Sequence, residues 1–318
     1  MKSVLTTVLL ALCALLSGPV FAQAPDTCPP AAQAPTPEQA QAGMKSARDR
    51  GFLWRVRKDG RTSWLYGTVH IARSDWVYPG PAMLDAVRAS DLVALELDVM
   101  DPDITERLRT GMAARADRPV PGALLDRLRA QLKAACLPEP LIGAMAPEML
   151  ATTLMVMSAR REGLDPGYAI DAVIAGLARG LKKPVTSLET PELQLALLLA
   201  RTPQEAQALV EQVLAELENG RASPMLVRIA QLWSDSRLAE LERYEQWCHC
   251  VDTAEERAMH KRLLDDRNPG LAERIDRLHA DGKRVFAAVG ALHMIGPGGL
   301  PALLAKRGYQ VERVDFAR

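Results

Sequence analysis

Two histidines stand at the same place in two matching segments of this 318-residue chain, and their spacing suggests a shared chemical role. His70 ends the segment Gly-Thr-Val-His at residues 67–70, and His293 ends Gly-Ala-Leu-His at residues 290–293. Each segment follows a short apolar run typical of a strand, and its glycine allows a close backbone approach or an unusual turn. Because neighbouring parallel strands end at the same edge of a sheet, we expect the two histidines to share one site.

Glu96 supplies a carboxylate that could act together with the two histidines. Glu96 interrupts the apolar run at residues 91–98, where a charge without a partner would be costly to bury. Two histidines and one carboxylate can bind a divalent metal and leave positions for water and substrate. Alternatively, Glu96 is the base that activates the water, with the histidines as ligands or donors to the transition state. The pattern also permits a plainer interpretation, with Glu96 facing solvent on an edge strand and the histidines unrelated.

Polar residues near a helix boundary could complete such a site. Arg267 and Asn268 precede a break at Pro269 and Gly270, where side chains can face a cleft. Arg267 could hold a carboxylate or stabilise an oxyanion, so we count Arg267 and Asn268 with Glu96 as candidate catalytic residues. Two further acids, which the pattern equally allows on the surface, are candidate supporting groups: Asp171 and Glu189. The other histidines suggest less, and the charged helical faces around His260 and His279 predict exposure to solvent.

The elements that must position these residues alternate between strand and helix in both halves of the chain. A hairpin turns at Asp59-Gly60, and further strands are predicted over residues 91–98, 183–189, 284–289 and 309–314. Helical spacing dominates the region between about 101 and 260, including one long helix over residues 222–247. We therefore predict an α/β (α+β) fold, with a central mixed sheet built from two βαβ-like halves, flanked by helices and carrying a large helical insertion.

The first residues have the pattern of an export signal. Lys2 precedes an apolar run, and Val-Phe-Ala at residues 20–22 suits cleavage after Ala22. Residues 23–50, rich in Ala, Pro and Gln, predict a disordered linker, and residues 51–318 the folded domain. We expect the mature protein to be periplasmic or secreted, with no stable membrane span.

Export would expose the four mature cysteines, Cys28, Cys136, Cys248 and Cys250, to an oxidising compartment. Disulfides are then favoured over a metal site at Cys248-His249-Cys250. Because cysteines two positions apart rarely pair comfortably, we expect Cys248 and Cys250 each to have a distant partner.

Composition excludes some classes of function. The formal net charge is zero, from 39 basic and 39 acidic side chains, which argues against a general nucleic-acid binder. The chain has no HExxH pair, no Gly-x-Ser-x-Gly elbow and no phosphate-binding loop with lysine, which argues against common zincins, α/β-hydrolases and P-loop enzymes.

Four ordered segments carry a resemblance to a known family: residues 65–70, 94–97, 264–268 and 289–293. Together they resemble the TraB/GumN family, which is related to the Tiki metalloproteases, and the similarity extends from about residue 52 to 314. The resemblance implies a sheet flanked by helices in which both Gly-x-x-His segments and the glutamate converge. It also implies metal-dependent peptidase activity for the Tiki branch, with manganese or cobalt as the metal.

Carried over by position, the metal ligands would be His70, Glu96 and His293, with Arg267 and Asn268 nearby. We therefore expect an exported metal-dependent hydrolase, foremost a peptidase acting on a peptide or protein. Manganese or cobalt is favoured, and zinc is possible chemically. More distant relatives include erythromycin-esterase-like hydrolases and haem-binding lipoproteins, so the fold alone does not decide the activity. The alternatives are a non-enzymatic periplasmic binder of metal or haem, or a scaffold for envelope assembly.

Overall fold

The computed structural model describes residues 28–113 and 119–316. The predicted signal peptide, residues 1–22, lies outside the described residues. The described chain divides into two compact units. A helical unit takes the residues up to Gln33, Val99–Gly167 and Thr190–Arg228, and a sheet unit takes Ala34–Asp98, Tyr168–Glu189 and the residues from Ile229 onward.

The sheet unit is built on six strands, all of which the sequence pattern predicted. Their bounds are β1 Phe52–Lys58, β2 Arg61–Thr68, β3 Leu92–Leu95, β4 Val185–Ser187, β5 Val285–Gly290 and β6 Gln310–Val314. The turn between β1 and β2 has positive φ at both Asp59 and Gly60, as a tight two-residue hairpin requires. β1 is antiparallel to β2 and to β6, so the sheet is mixed as expected.

The strand order is β4-β3-β5-β2-β1-β6, which interleaves the two halves of the chain. β5, from the second half, lies between β2 and β3 of the first and is parallel to both. Its alignment with β2 pairs Gly67 with Val289 and Thr68 with Gly290, so the two Gly-x-x-His segments leave the sheet side by side. Both faces of β5 are covered, since Val285 to Val289 are all buried.

Helices make up most of the remaining described chain. They are α1 Pro37–Lys45, α2 Pro81–Ala89, α3 Pro102–Gly111, α4 Gly122–Ala134, α5 Leu141–Ala144, α6 Pro147–Met157, α7 Ile170–Gly180, α8 Pro191–Leu198, α9 Pro203–Glu218, α10 Ala222–Ser234, α11 Leu238–Leu241, α12 Ala254–His260, α13 Asn268–Ala280 and α14 Leu300–Lys306. The long helix predicted over residues 222–247 is instead broken after Ser234. Ser236 has a φ of +55°, which ends helical geometry there.

The helical unit has an aliphatic core of its own. Leucine and methionine side chains from α4, α6 and α9 are buried together, among them Leu128, Leu150 and Leu214. A disulfide joins Cys28 to Cys136 within this unit, across 108 positions of sequence. Among the described residues, no helix is both long and apolar enough to cross a membrane.

The expected linker contains ordered structure in its described part. α1 begins at a capping box in which Thr36 and Gln39 bond to each other's backbone N–H groups, and proline occupies its first position. Further on, the Asp49 carboxylate accepts hydrogen bonds from the first-turn N–H groups of Ala82 and Met83 in α2. The prediction from composition is corrected here, because local capping and a polar contact order a segment that buries little apolar surface.

The prediction that Cys248 and Cys250 have distant partners is wrong. The two cysteines form a disulfide with each other, with Cα atoms 5.1 Å apart. His249 between them has a φ of +51°, and this left-handed conformation folds the backbone tightly enough for the sulfurs to meet. The prediction failed because it did not allow for a left-handed residue between the two cysteines.

Candidate active site

Three predicted site residues meet around Gly290, at the carboxyl ends of β2, β3 and β5. A methyl group placed on Gly290 would lie 3.3 Å from Glu96 Oε1, 3.6 Å from His293 Cδ2 and 3.8 Å from His70 Nε2. The other motif glycine, Gly67, allows a close crossing, since a methyl group there would lie 3.2 Å from the Cα of Ala291. The two glycines therefore let the Gly-x-x-His segments approach each other and the glutamate.

Glu96 follows β3 directly and points into this cluster. Its Oε1 accepts a hydrogen bond from the backbone N–H of Gly290 at 2.7 Å, and its Oε2 accepts one from Arg267 Nη2. Burial alone would raise the pKa of Glu96, but the positive charges of Arg267 and His70, together with the Gly290 N–H, outweigh burial and lower it to about 2. Glu96 is therefore an ionised, paired carboxylate, and the edge-strand alternative does not apply.

Arg267 lies at the centre of the cluster and uses all five of its N–H groups. Nε donates to Glu189 Oε1 at 2.9 Å, and Nη2 donates to Glu189 Oε2 at 2.5 Å as well as to Glu96. Nη1 donates to the carbonyl of Leu263 and to His293 Nε2, each at 3.0 Å. Leu263 belongs to a π-helical turn, Lys261–Asp265, that precedes the arginine. The guanidinium therefore has no free donor for a substrate in this arrangement.

His293 is held in one tautomer by its neighbours. Asn268 Nδ2 donates to the carbonyl of Gly298 at 2.9 Å, which turns Asn268 Oδ1 toward His293 Nδ1 at 2.6 Å. Nδ1 must carry the hydrogen, and Nε2 accepts from Arg267 because a guanidinium can only donate. Burial, together with the charge of Arg267, lowers the pKa of His293 to about 4, so the ring is neutral. Asn268 lies behind His293, so it positions the ring.

His70 differs from His293 in exposure and charge. Its side chain is 60% exposed, and its Nδ1 lies 3.4 Å from Asp171 Oδ2. Partial burial opposes the charged ring, but the carboxylates of Asp171 and Glu96 outweigh this and raise the pKa of His70 to about 9. Asp171 reaches it from the first turn of α7, whose Ile170 N–H bonds to the carbonyl of Val69 at 3.0 Å. The structure thus gives each motif histidine its own partner on Nδ1.

The two candidate supporting acids both belong to the cluster. Glu189 follows β4 and pairs with Arg267, and its backbone N–H bonds to the carbonyl of Glu96. Asp171 keeps Oδ1 buried with no hydrogen-bond partner among the described residues. The sequence showed a glutamate at a strand end and an aspartate one turn into a helix, but the pattern could not choose between the surface and the site.

Two other histidines are less exposed than expected. His279 is almost fully buried, with Nε2 3.0 Å from the Lys58 carbonyl and Nδ1 2.8 Å from Ser63 Oγ. Ser63 Oγ in turn accepts from the N–H of Val285, so His279 supports the pairing of β2 with β5. His260 stacks on Tyr244. The prediction of exposure was based on the charged residues near each histidine in the sequence. Such a count does not show which face of a helix packs against the rest of the protein.

The donor set suits a divalent metal chemically, since it offers two imidazole Nε2 atoms and a carboxylate within a few ångströms. In this arrangement, however, Arg267 bonds to His293 Nε2 and Glu96 Oε2, which are two of the three would-be ligand atoms. Within residues 28–113 and 119–316, no group of three or more His, Cys, Asp or Glu side chains is arranged to hold a metal ion. A metal could bind all three expected ligands only after the guanidinium had moved.

Comparison with known proteins gives a family and two relatives. Residues 52–313 match the TraB/PrgY/gumN family. The chain is similar to an uncharacterized protein YbaP of Shigella flexneri, with 26% identity over 245 residues, which cover 77% of this chain and 88% of the relative. It is similar to YbaP of Escherichia coli (strain K12) with 25% identity over 241 residues, 76% of this chain and 86% of the relative. No solved structure matches the chain.

Proposed function

Because the chain belongs to the TraB/PrgY/gumN family, we propose that it is an exported metal-dependent hydrolase whose substrates are peptides or proteins. The observation that carries this proposal is the convergence of His70, Glu96 and His293 on Gly290. Three side chains from distant parts of the sequence meet at the edge of the sheet where ligands bind in open α/β folds. The peptide substrate rests on the resemblance to the Tiki branch, and export rests on residues 1–22.

The proposed ligands are His70 Nε2, Glu96 and His293 Nε2, with manganese or cobalt favoured. When bound, the metal would make a bound water more acidic and polarise a scissile carbonyl. Asp171 and Asn268 hold the two rings by their Nδ1 atoms, so that both Nε2 atoms face the site. His70 is the exposed member of the set, and we assign the approach of substrate to its side.

We assign Arg267 a double role. It keeps Glu96 and His293 facing inward, and its movement would free their donor atoms for the metal. Glu189, buried beside it, is placed to retain the guanidinium after this change through its bond to Nε. The released Nη groups could then stabilise negative charge on a carbonyl oxygen or hold a peptide carboxylate.

The test is the metal content of the mature protein, purified without chelator and reconstituted with manganese, cobalt or zinc. We expect near-stoichiometric metal in the wild type and its loss in His70→Ala, Glu96→Ala and His293→Ala. His260→Ala, which removes a stacked histidine outside this cluster, is the matched control and should keep the metal. A fluorogenic peptide library then tests turnover by the loaded protein.

The outcomes separate the alternatives. Metal that is lost only in the two histidine variants would make Glu96 the base rather than a ligand. A wild type that binds none of the three metals would refute the proposal. A Soret band on adding haem that disappears in His70→Ala would favour a haem-binding protein instead.

A further inference from the structure

The disulfide between Cys248 and Cys250 contributes little to folding stability, which suggests a chemical role. A bridge stabilises a protein mainly by restricting the unfolded chain, and the effect grows with the length of the loop that it closes. Cys28 and Cys136 are 108 positions apart, whereas Cys248 and Cys250 are 2 apart. The short bridge also encloses His249 in a left-handed conformation, which reduction would allow to relax. Both features favour opening of the bridge.

The two cysteines differ in exposure. Cys248 is buried, with 7% of its surface exposed, whereas Cys250 is partly exposed and follows the exposed His249. An incoming thiolate can therefore reach the Cys250 sulfur more easily than the Cys248 sulfur. Attack on Cys250 would make Cys248 the leaving group, so the environment of Cys248 determines how easily the bridge opens.

Hydrogen bonds favour this direction of opening. The backbone N–H of Cys250 lies 3.1 Å from Cys248 Sγ, where it can stabilise negative charge on the departing sulfur. The Tyr244 hydroxyl lies 2.9 Å from Cys250 Sγ and must be the donor, since a disulfide sulfur has no hydrogen. Burial raises the pKa of Tyr244 to about 12, which keeps this donor protonated. Tyr244 thus polarises the sulfur that is attacked.

We propose that Cys248 and Cys250 form a thiol–disulfide exchange site that oxidises dithiols. A substrate thiolate attacks Cys250 Sγ, a substrate–Cys250 bond forms, and the Cys248–Cys250 bond breaks. Cys248 leaves as a thiolate and takes the proton that the substrate thiol has lost. The second substrate thiol attacks the mixed disulfide, so the substrate leaves as a disulfide and the protein holds two thiols. This site is independent of the hydrolase proposed above.

The first experiment compares the two bridges in one wild-type protein. The oxidised protein is equilibrated in graded ratios of reduced to oxidised dithiothreitol, quenched with acid, alkylated and mapped by mass spectrometry. We expect the Cys248–Cys250 bridge to be half reduced at a ratio at least about tenfold lower than the Cys28–Cys136 bridge. Reduction of both bridges at the same ratio, or of Cys28–Cys136 first, would overturn the proposal.

The second experiment tests the substrate and the direction of attack. A peptide with two cysteines should be oxidised stoichiometrically by the wild type and by the Cys28→Ser/Cys136→Ser variant, but not by Cys248→Ser/Cys250→Ser. Glutathione in place of the peptide distinguishes a monothiol from a dithiol substrate. In the single variants, the thiol left by Cys248→Ser should react with an aromatic disulfide about tenfold faster than the thiol left by Cys250→Ser. Equal peptide oxidation by both double variants would refute the site, and the reverse order of reactivity would refute the assigned direction.

Discussion

His293 donates from Nδ1 to the amide oxygen of Asn268, whereas the corresponding nitrogen of His70 faces a carboxylate. The two histidines end the same sequence motif, yet burial and the charge of Arg267 lower the pKa of His293, whereas the carboxylates of Asp171 and Glu96 raise that of His70. The pKa of His293 falls to about 4 and that of His70 rises to about 9. At neutral pH the cluster therefore combines one neutral and one protonated imidazole, and a metal would have to displace the proton from His70 Nε2.

Replacing Asp171 should remove the charge that holds the proton on His70. In Asp171→Asn we expect the pKa of His70 to fall from about 9 toward the ordinary histidine value, because an amide cannot stabilise the imidazolium as a carboxylate does. Titration of the imidazole signals by NMR measures this directly, with the buried His279 as the internal reference. An unchanged His70 pKa would show that the ring does not depend on Asp171.

Removing Arg267 should lower the stability of the protein and raise its affinity for a metal. In Arg267→Met, Glu96 and Glu189 lose their shared cation in a buried setting, which typically costs about 3–5 kcal/mol. A divalent metal can then reach Glu96 and His293 without competition. We expect manganese or cobalt to restore the melting temperature of Arg267→Met and to raise it by more than it raises that of the wild type.

The matched control for this variant is Arg160→Met in the helical unit. Arg160 and Asp165 form an ion pair with side chains 10% and 11% exposed, close to the 11% of both Arg267 and Glu96. This control should be destabilised without rescue by metal. Equal responses of the two variants to metal would mean that Arg267 does not compete for the ligand atoms.

Acid should destabilise the sheet unit through His293. Between about pH 6.5 and pH 4 the histidine is protonated in the unfolded chain but remains neutral in the folded protein. The free energy of unfolding therefore falls as the pH falls through this window. From pH 7 to pH 5 this effect amounts to about 2 kcal/mol for one such group. Glu96 adds to the loss only at lower pH, since its folded pKa is about 2.

The measurement is urea unfolding followed by tryptophan fluorescence, because all five tryptophans lie in the sheet unit. In His293→Gln the loss of stability between pH 7 and pH 5 should be smaller than in the wild type by about this amount. The same pH dependence in both proteins would place the proton uptake elsewhere.

The two motif glycines should differ in what an added methyl group disturbs. In Gly67→Ala the methyl meets the Cα of Ala291 at 3.2 Å, so the two segments must separate, and we expect a stability loss of about 1–3 kcal/mol. In Gly290→Ala the nearest atom is Glu96 Oε1 at 3.3 Å, on a side chain that can shift. The backbone of Gly290, with a φ of −48°, accepts alanine without strain.

We therefore expect Gly290→Ala to reduce metal binding and turnover with little change in the melting temperature, and Gly67→Ala to lower the melting temperature. Calorimetry and metal titration of both variants check this contrast. A large loss of stability in Gly290→Ala, with metal binding retained, would contradict this prediction.

The sequence predicted the strands of the sheet better than it predicted the contacts around the candidate site residues. Apolar runs and the Asp59-Gly60 turn identified each strand, and a glutamate within an apolar run pointed to the cluster. The sequence pattern could not predict the strand order, because the alternation of polar and apolar residues does not show which strands are neighbours in the sheet. The partners on Nδ1 of His70 and His293 also depend on tertiary contacts. The Cys248–Cys250 bridge depends on one backbone angle at His249, which the spacing of the cysteines does not show.

The position of β5 between β2 and β3 has a consequence for how the protein folds. β2 ends at Thr68 and β5 begins at Val285, so the central pairing of the sheet must wait until more than two hundred further residues have been made. Such distant pairing is slow, since the chain loses entropy before the contact forms. Until β5 arrives, β2 and β3 each present an unpaired edge to other chains. A chaperone that shields these edges before β5 pairs would therefore act on the two strands that lead directly to His70 and Glu96.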